Sequence, residues 1–340
     1  MKKLTLIILM LGAVFTVQAE TYKVAWSHYV GWEPWGYAAD KGIVDKWASK
    51  YGIEIEVQLI NDYIESINLY TAGEYDACTM TNMDALTIPA VGGIDSTALI
   101  VGDFSNGNDG IVMRNGTSVS DLKGREVMLV ELSVSHYLLA RALGMNGMSE
   151  RDLTVVNTSD ADIASIFISQ PNGAVVTWNP PLQQVRNADG AELVFDSSKT
   201  PGEIIDLMVV KSDAPDSLKK ALIGAWYETM AIMNTPGQEA NEAIAYMASA
   251  TGATEAEFRA QLRTTAMFYA ASDAADFAAG PKVKETMEHV RQFSFDKGLF
   301  GEGADSPDFV GIAFPDGSVL GNEENVQFRF DAFHMRAAED

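Results

Sequence analysis

From Ser27 to Tyr37 the sequence reads SHYVGWEPWGY, which gathers four aromatic rings (Tyr29, Trp32, Trp35, Tyr37) around one carboxylate, Glu33, with no lysine or arginine among them. Aromatic faces carry negative quadrupole density and attract cations. Rings combined with carboxylates therefore suit a small cation or a flat polar molecule better than an oxyanion. The stretch reads as one wall of a pocket, with Tyr29, Trp32 and Trp35 as the rings able to cover a ligand. Trp26, inside the preceding apolar run, and Trp47, inside a helical pattern, read as core.

The elements that would position such a wall follow from hydrophobic periodicity. Short apolar or alternating runs recur along the chain: YKVAW, IEIEVQLI, DACTM, STALIVG, GIVMR, EVMLV, LTVV, GAVVTW, AELVF and DLMVV. Amphipathic segments separate them at 64–72, 83–91, 133–143, 160–169 and 181–187, several opened by Asn, Ser or Asp in a capping position. That rhythm is α/β. After about Lys211 the pattern becomes nearly all helical, with breaks at Thr235-Pro236-Gly237 and Gly280-Pro281.

In open α/β sheets, ligands bind beyond the carboxyl ends of the strands, where loops and helix N-termini converge. Those loops carry Glu33, Asp62, Asp84, Asp103, Asp109, Glu131, Asp160, Asp162, Glu203 and Asp206, against one basic side chain, Lys199. From this set the candidate ligand contacts are Asp62, which follows IEIEVQLI; Asn82 and Asp84, which follow DACTM; and Glu131, directly after VMLV. Asp62 and Asp84 have capping the next helix as their competing role. Glutamate is a poor cap, which makes Glu131 the strongest single acid for contacting a cation. Trp178, ending the strand in TWNPP, is expected to close the pocket from the opposite side, with hinge packing as its alternative. Asp109 and Glu203 flank the two inferred chain crossings and are either ligand contacts or hinge links. His136 reads as a structural hydrogen-bonding residue inside a helix's first turn.

The formal charge of -23 excludes nucleic acid as a partner, since that binding needs clustered Lys and Arg against phosphates. The start MKKLTLIILMLGAVFTVQA has a basic head, a short apolar run and a small-residue site before Glu20, and reads as a signal peptide over residues 1–19. With one cysteine, Cys78, an intramolecular disulfide is impossible. The histidines His28, His136, His289 and His334 are scattered, without HExxH, CxxC or calcium-loop spacing, so neither a metal nor another cofactor is expected. GxGxxG, P-loop and GxSxG patterns are missing at strand-to-helix turns. A chain of 340 residues that is 47% hydrophobic can fill two cores, since single ones stop growing near about 250–300 residues.

The ordered series WEPWGYAADKGIVDKW…IEIEVQLI, AGEYDACTMTNMDAL, SVSDLKGREVMLVELSVSHYLLARAL and GAVVTWNPPL resembles periplasmic substrate-binding proteins of ABC importers in the nitrate, sulfonate and taurine group. The resemblance runs from about Thr21 to Lys211. It implies a two-lobed type II binding-protein fold, each lobe a mixed sheet flanked by helices, with a helical C-terminal tail packed on lobe one. Residues 20–107 and 211–340 would form lobe one and 111–200 lobe two, with hinge crossings near 107–111 and 200–211. It further implies a monomeric, non-enzymatic periplasmic receptor that serves the transmembrane subunits of a permease. The phrases WSHYVGWEPWG, DFSNGND and VVTWNPPL are most similar to the branch encoded beside urea carboxylase-type enzymes, some of which act on guanidine. Urea and guanidinium are thus the leading ligands, and the acid-rich strand ends favour guanidinium. An oxyanion such as taurine, another sulfonate or nitrate is the first alternative, with Lys199 in the pocket as its sign. A pyrimidine-precursor synthase of the same fold is the remote one.

Overall fold

The computed structural model describes residues 19–338, so that nearly all of the expected leader lies outside the described residues. The chain opens with β1 (Glu20–Trp26), α1 (Glu33–Asp40), α2 (Ile43–Lys50), β2 (Ile53–Leu59), α3 (Tyr63–Thr71), β3 (Ala77–Thr81), α4 (Asn82–Ala85) and β4 (Ser96–Ser105). It then builds β5 (Asp109–Arg114), β6 (Glu126–Leu129), α5 (Val134–Met145), β7 (Thr154–Asn157), α6 (Asp160–Ser169), β8 (Ala174–Trp178), α7 (Pro181–Arg186) and β9 (Ala191–Asp196). It returns as β10 (Ile205–Lys211), followed by α8 (Asp216–Asn234), α9 (Gln238–Ala250), α10 (Glu255–Leu262), β11 (Thr265–Met267), α11 (Ala271–Ala279) and α12 (Pro281–Asp296). The end of the chain adds β12 (Gly311–Ala313), β13 (Val319–Leu320), β14 (Val326–Phe330) and α13 (Phe333–Arg336).

Two sheets make two lobes. The larger has nine strands in the order β13-β12-β14-β4-β10-β3-β1-β2, with β11 added beside β4, and the smaller has five in the order β7-β6-β8-β5-β9. β1 runs parallel to β2 and β3, whereas β10 runs antiparallel to both of its neighbours, β3 and β4. The apolar run in IIDLMVVK therefore lies in the middle of the larger sheet and is buried along nearly its whole length. The chain passes between sheets twice, between Ser105 and Asp109 and between Asp196 and Ile205.

Local chemistry sets the element starts. The Asp62 carboxylate accepts the Glu65 N–H at 2.9 Å and caps α3, and the Ser133 hydroxyl accepts the Ser135 N–H at 3.2 Å and caps α5. Thr254 and Glu257 close a reciprocal capping box at the head of α10. The smaller lobe keeps its own apolar cluster, with Val112, Met128, Phe167, Val175 and Leu182 between its sheet and α6 and α7. In the larger lobe α1 and α2 pack on α8, where Trp35 stacks on Trp226 at 5.2 Å between ring centroids. A Cβ at Gly224 would stand 2.2 Å from the Trp47 ring, so the glycine is what lets α8 lie against α2.

The expectation of a helical tail needs correcting beyond Lys297. β12, β13 and β14 extend the larger sheet, with β14 parallel to β4. The cause is legible afterwards in VQFRF, whose alternation buries Phe328 and Phe330 on one face. Among the described residues, no helix is long and apolar enough to cross a membrane.

Trp35 is 1% exposed. Trp35→Ala should remove about 3–5 kcal/mol of stability, the usual cost of emptying a large aromatic from a core. The midpoint of urea unfolding, followed by circular dichroism, checks this.

Candidate functional site

The register of the larger sheet brings polar groups together at one place. Asp206 of β10 lies directly opposite Thr81 of β3 on one side and opposite Asp103 of β4 on the other, a row across three strands. Tyr29, in the loop after β1, donates its hydroxyl to Asp103 Oδ1 at 2.8 Å. At the other end of the row Asp84 Oδ2 accepts from the Tyr63 hydroxyl at 2.6 Å and from Thr81 Oγ1 at 2.8 Å. A Cβ at Gly31 would lie 2.3 Å from Asp103 Oδ2 and 2.5 Å from the Tyr29 ring, so glycine alone admits this approach of loop to carboxylate.

The smaller lobe presents a matching pair. Asp109, the first residue of β5, is directly opposite Trp178, the last residue of β8. Between the lobes lies a cavity of about 10 Å³, lined by the rings of Tyr29, Trp32, Tyr63 and Trp178. Thr81, Asp109 and Asp206 supply the polar part of the wall, Val134 and Ile204 the aliphatic part. The rings meet edge to face or tilted: Tyr29 and Trp32 at 4.9 Å, Trp32 and Tyr63 at 5.6 Å, Tyr63 and Trp178 at 5.6 Å. That is about the room of one water-sized sphere, so the lobes stand drawn together and must part to admit a ligand of several heavy atoms.

The electrostatics are one-sided. Burial pushes the carboxyls of Asp103 and Asp109 up to about 7 and that of Asp84 up to about 6. Asp206 is raised well above the usual carboxylate range, first by burial and then by the charges of Asp103 and Asp109. Among the described residues, neither a lysine nor an arginine lines the cavity. Asp103 and Asp206 hydrogen-bond to each other, the protonated Asp206 carboxyl donating to Asp103, and Asp84 Oδ1 is buried without a hydrogen-bond donor. The arrangement can hold protons in this cluster, or exchange them for a cation that donates to oxygens and lies against rings.

Of the residues singled out in the sequence, Tyr29, Trp32, Asp109 and Trp178 line the cavity. Asp84 stands one layer behind, through Tyr63 and Thr81. Trp35 lies in the core on Trp226. Asp62 caps α3 and accepts the Ser159 hydroxyl at 3.0 Å across the lobes. Asn82 holds the return of the chain, accepting the Ile205 N–H at 3.0 Å and donating to the Glu203 carbonyl at 3.2 Å. Glu203 is forked by Arg141 of α5, Nε to Oε2 at 2.8 Å and Nη2 to Oε1 at 2.9 Å, and also accepts from the Tyr137 hydroxyl at 2.6 Å. Glu131 is exposed, on the turn before α5, and lies outside the wall. His136 accepts the Leu132 N–H at 3.1 Å, so its role is structural. Lys199 is exposed and away from the wall.

Tyr63, Thr81, Val134, Ile204 and Asp206 complete the lining and were not among the candidates chosen from the sequence. The usable signal was a lone acid breaking an otherwise apolar strand, as in IIDLMVV and LIVGDFS, since a charge there must be matched or functional. Cys78 is fully buried and its thiol is pushed up to about 12, which makes it a poor nucleophile. Among the described residues, no group of three or more His, Cys, Asp or Glu could hold a metal ion.

Residues 37–214, a little over half of the chain, match the model of the family described as NMT1/THI5 like. The chain belongs to the NMT1/THI5-like family. A curated relative, a protein of Brucella abortus (strain 2308) carrying the name "putative binding protein", is 27% identical over 150 residues. That match covers 44% of this chain and 44% of the relative, so the chain spans under half the length of the curated relatives it matches. Among solved structures, this NMT1/THI5-like chain is similar to the alkanesulfonate-binding protein SsuA from Xanthomonas axonopodis pv. citri, bound to MOPS. The TM-score is 0.67 at 15% identity, over 84% of this chain and 96% of that one. It is also similar to the periplasmic aliphatic sulphonate binding protein SsuA from Escherichia coli, with a TM-score of 0.63 at 15% identity over 82% and 88% of the two chains. The desulfurization enzyme DSZB gives a TM-score of 0.56 at 14% identity over 82% and 93%. The fold is that of the two-lobed periplasmic binding proteins.

Because the folded protein holds the protons of Asp103, Asp109 and Asp206 more tightly than the unfolded chain does, these groups destabilise it as pH rises from about 4 through about 7. The melting temperature of Asp109→Asn, relative to the parent, should therefore rise as pH goes from about 5 to about 8. Scanning calorimetry of both proteins across that range checks the sign.

Proposed function

We propose that this protein is a periplasmic receptor of an ABC-type importer that captures guanidinium, or a small guanidino cation, by closing its lobes upon it. The observation that carries the reading is a cavity wall with a buried carboxylate from each lobe, Asp206 and Asp109, four rings and no basic side chain. Guanidinium is flat, with N–H donors all round its edge for carboxylates and an apolar face for rings. A sulfonate, the ligand class named for the SsuA neighbours, would meet carboxylates where it needs donors. Urea is as flat as guanidinium but uncharged, so it would leave the acids holding their protons.

Closure in this reading is a rotation about the two chain crossings, with residues before Ser105 and after Ile205 moving as one body. Contacts across the lobes support it: Arg141 on Glu203, Ser159 on Asp62, and Lys297 on Glu150. The closed form, working as a monomer, is what the permease would recognise. A synthase activity, the remote alternative, finds little support in the inert Cys78.

Titration calorimetry with guanidinium, urea, taurine and nitrate tests the proposal. Guanidinium should bind most tightly, and Asp109→Asn and Asp206→Asn should each weaken it by about tenfold or more, the range for losing a charged hydrogen-bond partner. Urea affinity should change far less. Tighter binding of taurine or nitrate, or unchanged guanidinium affinity in both variants, would overturn it.

A further inference from the structure

Acids and rings do not exhaust the cavity wall. Trp32, 5% exposed, contributes its ring to the wall, yet its indole N–H is buried with no acceptor. Guanidinium cannot supply one, because every polar atom at its edge is a donor. A buried donor left unmatched costs about 1–3 kcal/mol, so a ligand that fills the site well would satisfy it. A second feature points the same way. Val134, the first residue of the twelve-residue α5, also lines the cavity, which brings the positive end of that helix to the same space.

From the unpaired Trp32 N–H and the α5 terminus, we propose that the preferred ligand is a small guanidinium-type cation bearing one oxygen acceptor, and that Trp32 Nε1 reads that oxygen. The cationic edge then faces Asp109 and Asp206, the acceptor faces Trp32 and α5, and the remaining rings cover the flat face. Trp32 becomes a specificity-determining residue through one N–H in addition to its ring. The inference rests on the reading of the cavity as a cation site.

The experiment compares guanidinium with N-hydroxyguanidinium and 2-hydroxyethylguanidinium on the parent and on Trp32→Phe, which keeps a ring and deletes the N–H. At least one oxygen-bearing cation should bind the parent about tenfold more tightly than guanidinium does, and Trp32→Phe should bring that ratio to about one, with any loss of ring contact lowering both affinities together. If the variant does not fold, nitrogen-15 spectra of the parent serve instead. One of the six tryptophan indole N–H signals should shift downfield and resist solvent exchange with the preferred oxygen-bearing cation, and not with guanidinium. Guanidinium binding with no gain from either oxygen-bearing cation, a preference that survives in Trp32→Phe, or an indole signal that moves equally with guanidinium would each overturn this inference while leaving the cation site standing. Absence of binding by all three cations would overturn both.

Discussion

Four carboxyl groups, those of Asp84, Asp103, Asp109 and Asp206, are enclosed by protein without one basic side chain among the residues that line the cavity. Carboxylates buried without a partner are costly, and the cost falls either on protons, as the raised values of all four show, or on a cation brought from outside. The remainder of the site follows from managing that constraint. Tyr29 and Tyr63 give their hydroxyls to Asp103 and Asp84, with Tyr29 also serving Asp206, while the Asp109 and Asp206 carboxyls stand on the cavity wall. The same two tyrosines turn their rings to the cavity, so one side chain both steadies an acid and supplies an apolar face.

Strand register converts this chemistry into position. Because β10 returns antiparallel between β3 and β4, Asp206 falls opposite Thr81 and Asp103, and a one-residue slip would send its carboxyl to the other face of the sheet. The acid of the second lobe is fixed just as tightly, by pairing with Trp178 at the ends of β5 and β8. The site thus depends on two sheets meeting at their crossings. Links such as Arg141 on Glu203 hold the lobes together at the rim and leave the interior to the ligand.

The α/β architecture was legible in the alternation of apolar runs and helical patterns, and the resemblance supplied the two-lobed arrangement. Tyr29, Trp32, Asp109 and Trp178 could be picked out because each sits at a strand end or in the loop after one. Glu131 satisfied the same rule and yet lies in solvent, since position after a strand does not say which way the turn points its side chain. Asp62, Asn82 and Glu203 show another limit: polar residues at strand ends also cap helices and tie crossings, and sequence alone does not separate those duties from ligand contact. Asp206 was counted among the strand-end acids but not chosen, since it lies inside β10, where only the pairing partners reveal its place on the wall. Of the late strands, β12 and β13 were hidden by their shortness, at three and two residues, whereas the alternation of VQFRF in β14 was a readable signal.

In this mechanism a bound cation replaces protons on buried carboxyls. It is tested most directly by calorimetric binding of guanidinium in buffers of different ionisation enthalpy near pH 7, which counts the protons exchanged. Net proton release is expected, with affinity rising as pH increases through about 7, where Asp103 and Asp109 lose their protons. Binding heats that are the same in every buffer, or proton uptake on binding, would contradict it.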